Sequence, residues 1–186
     1  MSRIDGKHCW EWIHANEPKN GWFRVYWKGD VEKTKGRNAA QNQTIGVYSW
    51  DGGATLNKEE GNGLRYEWFL ENGKVIGTSK SYHPNGILKE TREWGNGIKN
   101  GWQRWYYDNS QIMRECFYIN DKEHGLRPYW FADGKKFWEK RFKMGVPHGI
   151  WKKWWMNGNL RMETEYVDGI EVKERKLYTE NGVLES

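Results

Sequence analysis

The sequence has little of what usually marks a disulfide-linked, secreted or membrane-spanning protein. Its 186 residues include two cysteines, Cys9 and Cys116, which are too few for a disulfide framework. The start, MSRIDGKHCWEWIHANEP, has no apolar segment of the kind found in secretory signals. No apolar run approaches the ~20 residues needed to cross a bilayer. Together these absences predict a cytoplasmic protein whose cysteines stay reduced.

Aliphatic residues are also scarce, and aromatic residues replace them. Hydrophobic residues make up 37% of the chain and charged residues 30%, yet aromatics reach 16%, with 14 tryptophans. Each large aromatic side chain can bury roughly 150–250 Å², whereas disordered segments are poor in aromatics. We therefore expect a folded protein in which tryptophan and tyrosine supply most of the buried area.

Catalytic and metal-binding patterns are missing as well. His8-Cys9 with His14 matches no zinc spacing, and no GxGxxG or Walker loop is present. His124 and His148 occupy equivalent positions before a recurring glycine, which indicates a role in capping turns. The glutamates that could serve as an acid–base pair recur every 24 residues, as a repeat feature would: Glu115, Glu139 and Glu163. The sequence therefore predicts no enzyme, no metal site and no cofactor.

The net charge of +5 and the pI near 9.1 are modestly basic. An excess of basic residues favours an anionic partner, such as nucleic acid or an acidic protein. A solvated surface of mixed charge explains the same numbers.

A repeat of 24 residues organises the chain beyond residue 76. Its marker is a turn dipeptide that recurs without insertion, at Asn85-Gly86, Asn109-Ser110, Asp133-Gly134, Asn157-Gly158 and Asn181-Gly182. An aromatic row keeps the same phase, at Tyr82, Tyr106, Trp130, Trp154 and Tyr178, and so does a glycine row, at Gly77, Gly101, Gly125 and Gly149. Rows in phase over this length indicate tandem repeats.

Each repeat has the pattern of a β-hairpin. A first strand such as GWQRWYY leads into a turn where Asn or Asp tolerates a positive φ and Gly adopts it freely. A second strand such as IMRECFYI follows. Consecutive hairpins in register predict an all-β fold, an elongated and twisted antiparallel β-meander of tandem 24-residue hairpins.

The repeat pattern weakens towards the start of the chain. Residues 63–186 are predicted to be the tandem hairpins, and residues 1–62 a degenerate repeat that forms an N-terminal cap or binds a partner itself. Within this region, NGWFRVYWKGD (Asn20 to Asp30) has the pattern of a strand and turn. The polar stretch KTKGRNAAQNQT (Lys33 to Thr44) has that of a loop.

Alternate residues of a strand share a face, which predicts a half-buried sheet. In the second strands one face is apolar, with Leu88, Ile112, Leu160, Trp94, Tyr118, Phe142 and Tyr166, while the intervening positions are mostly charged. The first strands are aromatic on both faces. Their inward set is predicted to be Trp102, Leu126, Ile150, Tyr106, Trp130, Trp154 and Tyr178.

The outward aromatics of the first strands are the candidate binding residues: Trp105, Tyr107, Tyr129, Phe131, Trp151 and Trp155. Arg127, Arg141 and Lys153 would add specificity and a faster on-rate. Cross-strand aromatic pairs could instead stabilise the sheet, by roughly 0.2–1 kcal/mol each. Both interpretations remain open, because Trp, Tyr and Arg also supply most interface hot spots.

The unit GIWKKWWMNGNLRMETEYVDG closely resembles the bacterial variant of the MORN repeat, and GWQRWYYDNSQIMRECFYIND is similar to it. Matching positions in the first unit include Gly149, Trp151, Asn157-Gly158, Leu160 and Tyr166. Many proteins built from this variant resemble the YwqK-type antitoxins, which are immunity partners of bacterial toxins. The resemblance implies a non-enzymatic protein that binds and masks a toxin or another effector.

Three other functions compete with this hypothesis. Aromatic hairpins are also typical of glycan- and cell-wall-binding repeats. Basic residues among aromatics could bind single-stranded nucleic acid or a nucleotide, with a steep dependence on salt. A membrane-surface role would need a contiguous basic face, which the alternating glutamates do not offer.

Overall fold

The computed structural model describes residues 21–28, 48–49 and 61–185, and this part of the chain contains strands and turns but no helix. The strands are β1 (Gly21–Lys28), β2 (Tyr48–Ser49), β3 (Gly61–Glu71), β4 (Lys74–Tyr82), β5 (Leu88–Gly95), β6 (Ile98–Tyr106), β7 (Ile112–Ile119), β8 (Lys122–Trp130), β9 (Lys136–Lys143), β10 (Val146–Pro147), β11 (Gly149–Trp154), β12 (Leu160–Val167), β13 (Ile170–Glu171) and β14 (Lys176–Leu177).

These strands form one open antiparallel sheet. Its order is β13-β12-β11-β9-β8-β7-β6-β5-β4-β3-β1-β2, with β10 paired to β9 and β14 to β12. From β3 to β9 each strand pairs with its neighbours in sequence, so the hairpins follow one another as a meander. The predicted all-β meander of tandem hairpins is confirmed. In the region predicted to be a cap, β1 pairs with β3, while the predicted loop (33–44) lies outside the described residues.

Two kinds of turn alternate along the sheet. The tight kind joins a second strand to the next first strand through two residues that both have positive φ, as in Asn72-Gly73, Asn96-Gly97, Asn120-Asp121, Met144-Gly145 and Asp168-Gly169. This geometry is a type I′ turn, whose twist matches that of the flanking strands. The tight turns therefore set the register of each strand pair.

The wider turns hold the dipeptides that mark the repeat, and their chemistry differs from the expectation. Only the second residue has a positive φ, as at Gly86 and Ser110. The Asn or Asp before it acts through its side chain, since Asn109 Oδ1 accepts the N–H of Gln111 at 3.0 Å. Asp133 accepts the N–H of Lys135 in the same way. Such Asx turns need an acceptor oxygen, which both residue types supply.

Hydrogen bonds between equivalent turns of neighbouring repeats connect the repeats at both ends of the strands. In the wider turns, Asn109 Nδ2 donates to Ala132 O at 3.0 Å and Asn157 Nδ2 to Glu180 O at 2.7 Å. The carboxylate of Asp133 cannot donate, and Lys135 Nζ bonds to Met156 O at 3.2 Å instead. The tight turns use backbone groups, with Gly97 N to Val75 O, Asp121 N to Lys99 O and Gly169 N to Pro147 O.

Each second strand contains a β-bulge at the same repeat position. The register skips one residue opposite the end of each first strand, for example where Lys153 pairs with Met162 and Trp154 with Leu160. The skipped residues are Lys89, Met113, Phe137 and Arg161, 24 positions apart. Because a bulge changes the alternation of side chains, residues on its two sides cannot be assigned to one face by counting in twos.

The bulges correct the predicted faces of the second strands. Counting in twos placed Leu160 and Tyr166 on one apolar face. The register instead pairs Leu160 with Trp154, whereas Tyr166 pairs with Gly149 on the opposite side of the sheet. The inward set predicted for the first strands is also wrong in part, because Leu126 and Ile150 are 36% and 47% exposed.

Cross-strand pairing divides the repeats into two faces. The cation–aromatic face carries Arg92, Trp94, Gln103, Trp105, Arg114, Cys116, Arg127, Tyr129, Trp138, Lys140, Phe142, Trp151, Lys153, Met162 and Thr164. The ion-pair face carries Trp102, Arg104, Glu115, Phe117, Pro128, Glu139, Arg141, Lys152 and Glu163. Gln103, Cys116, Met162 and Thr164 are buried, so the interior of the repeats lies on the cation–aromatic face.

Candidate binding face

The nine predicted binding residues do not all lie together. Five of them share the cation–aromatic face, namely Trp105, Arg127, Tyr129, Trp151 and Lys153. Three others, Tyr107, Phe131 and Trp155, follow the ends of β6, β8 and β11 and begin the wider turns. The ninth, Arg141, pairs with Leu126 on the ion-pair face and is exposed.

The aromatic residues that begin the wider turns connect one repeat to the next. Tyr107 Oη donates to Trp130 O at 2.9 Å, and Trp155 Nε1 donates to Tyr178 O at the same distance. Phe131 has no polar atom, and its ring packs on Phe137 with centroids 4.8 Å apart. Part of the predicted aromatic set therefore holds the repeats in register, as the structural interpretation requires.

Cations stack on aromatic rings along the cation–aromatic face. The guanidinium of Arg114 lies 3.6 Å from the ring centre of Trp105 and also donates to Tyr129 Oη at 2.7 Å. At the other end, Arg161 lies 4.1 Å from the ring centre of Trp155. Such contacts contribute about 0.5–2 kcal/mol each, more as they lose water.

Lys140 and Lys153 share one indole between them. Lys140 Nζ lies 4.5 Å from the ring centre of Trp138 and 4.8 Å from that of Trp151. Lys153 Nζ lies 4.9 Å from the ring centre of Trp138 and 5.2 Å from that of Phe137. Burial, followed by the guanidinium of Arg127, lowers the pKa of Lys140. Burial and then Arg161 lower the pKa of Lys153.

A half-buried ion pair lies in the middle of the same face. Arg127 Nη1 contacts both carboxylate oxygens of Glu123, at 2.9 and 2.7 Å, and its guanidinium also lies over Phe142. Tyr118 Oη donates to Glu123 as well. Burial, and then the Glu123 carboxylate, raises the pKa of the adjacent Cys116 thiol to about 11. This cysteine is a buried packing residue, since an easily ionised thiol needs exposure and positive neighbours.

The other cations of the face have no carboxylate partner. Among the residues that the structure describes, no carboxylate oxygen lies within ion-pair distance of Arg114, Lys140, Lys153 or Arg161. The carboxylates that this face does carry are already engaged, Glu90 with Arg92, Glu123 with Arg127 and Glu171 with Arg175. The face is therefore positively charged.

The ion-pair face neutralises most of its charges within the chain, although Arg141 has no ion pair among the described residues. Arg104 pairs with Glu115 on the neighbouring strand at 3.1 Å, and Lys152 pairs with Glu163 at 3.3 Å. The glutamates that recur every 24 residues are thus partners for basic residues of adjacent strands, except that Glu139 faces Pro128 and pairs with Lys136 on its own strand. These acids do not form an acid–base pair for catalysis.

Three residues that carry or hold the cations of the cation–aromatic face, and Arg161 at the bulge beside it, were not among the predicted binding residues. Arg114, Trp138, Lys140 and Arg161 lie on the second strands, at or beyond the bulges. Counting in twos gave no reason to group them with the first-strand aromatics. A signal was nevertheless present, because three of the four are basic residues close in sequence to other aromatics.

Metal binding was predicted to be absent. Within residues 61–185 and the short described strands before them, no three His, Cys, Asp or Glu side chains come together as metal ligands. The predicted absence stays a prediction, and His8, Cys9 and His14 lie outside the described residues. His124 Nδ1 accepts the N–H of Met144 at 3.4 Å, as a residue that caps a turn would. In the part of the chain that the structure describes, there is no helix of the length and apolarity that a membrane span requires.

Comparison with known families identifies the repeat. Residues 76–96, 99–120 and 147–168 match the MORN repeat variant. No curated protein matches the chain. The matched segments are hairpins β4–β5, β6–β7 and the hairpin centred on β11–β12. They leave out the β8–β9 hairpin, which contains Arg127, Trp138 and Lys140. MORN repeats are generally non-enzymatic modules that often mediate protein or membrane interactions.

Proposed function

We propose that this chain is a non-enzymatic binding module that captures an acidic protein through its cation–aromatic face. The observation that carries the proposal is the set of cations stacked on aromatic rings without a carboxylate partner: Arg114, Lys140, Lys153 and Arg161. A partner with carboxylates at matching positions would neutralise them, and Trp and Tyr side chains around them would supply apolar contact.

The cations that lie over the aromatic rings favour a protein partner over a glycan or a nucleic acid. Bases and sugars bind aromatic side chains by stacking on an open ring surface. Here cations already lie over the rings of Trp105, Trp138 and Trp155, and Trp151 also contacts the rings of Phe142 and Tyr166. An acidic protein can approach these cations without displacing them from the rings. This reasoning ranks glycan and nucleic acid below a protein partner.

Within this function, we assign the chain the role of an antitoxin or immunity protein. The resemblance of its repeats to those of the bacterial YwqK-type antitoxins supports this role, and a broad, single-layered face suits the masking of another protein. A toxin neutralised in this way would be a stoichiometric partner inside the same cell. The cytoplasmic location predicted from the sequence accords with that arrangement.

Affinity purification from the native host tests the proposal. The wild-type chain should retain one protein in stoichiometric amount at moderate salt, and the amount retained should fall as salt screens the cations. The double variant Trp151→Ala with Trp155→Ala should lose that protein. Trp154→Ala is the matched control, because Trp154 lies between these residues but pairs with Leu160 on the ion-pair side. Thermal unfolding followed by circular dichroism verifies that all variants fold.

The proposal fails if the eluate contains only nucleic acid that salt removes, or if no protein is retained. It also fails if Trp154→Ala loses the partner while the double variant keeps it. Toxicity of the retained protein in the host, relieved by co-expression of this chain, would identify the antitoxin role. A non-toxic partner would leave a binding module and refute that role.

A further inference from the structure

The most unusual arrangement on the cation–aromatic face is the pair of ammonium groups over Trp138. Lys153 lies directly across from Trp138 in the pairing of β11 with β9. Lys140 lies two residues along β9 from Trp138 and points to the same side, opposite Arg127 of β8. Both ammonium groups come within 5 Å of the Trp138 ring centre, Lys140 at 4.5 Å and Lys153 at 4.9 Å.

The free protein holds these two cations at a cost. Lys140, Lys153 and Arg161 have no ion pair among the described residues, and Arg127 nearby is neutralised by Glu123 alone. Burial and the neighbouring cations lower the pKa of both lysines, which means that their charged forms are destabilised. An anion bound to these ammonium groups would reverse that effect, whereas Lys152 on the other face already has Glu163.

The surroundings determine what kind of anion fits. The lysines are stacked on Trp138, Trp151 and Phe137, so their positions are fixed by apolar contacts and their ammonium groups keep donors for an acceptor. A single-stranded nucleic acid needs ring surfaces for its bases, and these rings already have cations on them. A carboxylate side chain needs only the ammonium donors.

We infer that Lys140, Lys153 and Trp138 form a carboxylate-binding site for Asp or Glu side chains from an acidic segment of a protein partner. This site rests on the proposed function and makes it specific, because it names the group that the face recognises. Arg114 and Arg161 continue the row of cations on either side, so an extended acidic segment would meet further positive charge beyond the site.

A direct test uses a short peptide of alternating Glu and Ser, with a Gln–Ser peptide of the same length as the uncharged probe. Isothermal titration calorimetry of the full chain should detect binding of the Glu peptide only. Lys140→Gln and Lys153→Gln should each weaken it about five- to tenfold, the size of one lost charge-assisted contact. Lys152→Gln is the matched control and should change affinity less than about twofold.

Several outcomes would overturn the inference. One is equal weakening by Lys152→Gln and Lys153→Gln, which would mean that the whole surface attracts the peptide. Another is tighter binding of a short oligothymidylate than of the Glu peptide, with the same lysine dependence. Lys153→Arg distinguishes loss of charge from loss of folding, since it keeps the cation and should retain most of the affinity.

The two proposals can fail separately. A host protein could be captured through Trp151 and Trp155 with no effect of Lys140→Gln or Lys153→Gln on that capture. This result would overturn the carboxylate-binding site and leave the proposed function. Alternatively, the Glu peptide could bind in a way that depends on both lysines while no protein is captured from the host. This result would support the carboxylate-binding site and overturn the proposed function.

Discussion

The two faces of the sheet carry similar residue types but use their charges in opposite ways. On the ion-pair face, Arg104 and Lys152 meet Glu115 and Glu163 across neighbouring strands. On the cation–aromatic face, four cations lie on aromatic rings and meet no carboxylate among the described residues. Consecutive residues such as Lys152 and Lys153 illustrate the contrast, because one is neutralised by the chain and the other is not.

This difference separates what the fold requires from what a partner could use. Exposed ion pairs such as those of the ion-pair face contribute little stability, typically below about 1 kcal/mol. They neutralise most of the charge on one side of the sheet. The cation–aromatic face carries buried residues of the repeats, and the lowered pKa values of Lys140 and Lys153 indicate that these two charges are destabilised in the free protein. A cost of this kind is retained when binding to another molecule compensates for it.

The largest difference between the faces should appear when one acid is removed from each. Glu123→Gln leaves the guanidinium of Arg127, whose side chain is 18% exposed, without its carboxylate. We expect a loss of about 3 kcal/mol in the free energy of unfolding, because a half-buried charge is left unpaired. Glu163→Gln breaks a more exposed pair and should cost about 0.5 kcal/mol. Urea unfolding measures both, and equal losses would contradict the contrast between the faces.

A somewhat smaller effect should come from the buried thiol of the cation–aromatic face. The pKa of Cys116 is about 11 in the folded chain, against 9.0 for an ordinary thiol. Between these values the unfolded chain releases the proton and the folded chain keeps it, so stability falls as pH rises. The loss attributable to Cys116 should reach about 2 kcal/mol by pH 11.

Cys116→Ala isolates this contribution. The stability of wild type relative to the Cys116→Ala variant should decline between pH 9 and pH 11 and stay constant at lower pH. Parallel stability curves over that range would mean that the thiol ionises normally in the folded protein.

The smallest predicted effect concerns the wider turns, whose hydrogen bonds connect neighbouring repeats. Asp133 is the repeat position where a carboxylate replaces the amide, so the side-chain donor to the next turn is missing. Asp133→Asn should keep the Asx turn, lose the exposed ion pair with Lys135 and add a hydrogen bond to Met156 O, with a net gain of about 0.5 kcal/mol in the free energy of unfolding. Thermal melts can detect this gain. Asn109→Asp is the reciprocal control and should lose a similar amount.

The sequence predicts the repeat well because each row of the 24-residue pattern has a simple physical role. Alternation along the first strands correctly groups Trp105, Arg127, Tyr129, Trp151 and Lys153, since from the repeat glycine to these residues the pairing with the following second strand is unbroken. The markers of the wider turn were also recognised, although the Asn and Asp residues act through their side-chain oxygens and not through a positive φ.

The second strands could not be predicted in the same way. Their bulge residues share a position but no chemistry, since they are Lys89, Met113, Phe137 and Arg161. No residue type therefore signals the point where alternation changes. As a result Trp138 and Lys140 were missed, and Arg141 was placed beside residues that lie on the other face. Only the pairing of strands reveals these neighbours.

The β8–β9 hairpin departs from the repeat pattern that its neighbouring hairpins share. It lies outside the segments that match the MORN repeat variant, and it has Pro128 opposite Glu139 where the adjacent repeats have a basic residue opposite a glutamate. It also supplies Arg127, Trp138 and Lys140 to the cation–aromatic face. This departure from the repeat pattern thus coincides with part of the face where we propose recognition to occur.

The most direct test is a lysine-acetylation footprint of the chain with and without the protein captured from its host. Lys152 and Lys153 are adjacent in sequence and lie on opposite faces, so each acts as the internal control for the other. Binding through the cation–aromatic face predicts that Lys140 and Lys153 become protected in the complex while Lys152 keeps its reactivity. Protection of Lys152 with Lys140 and Lys153 unchanged would place the partner on the ion-pair face and contradict the proposed mode of binding.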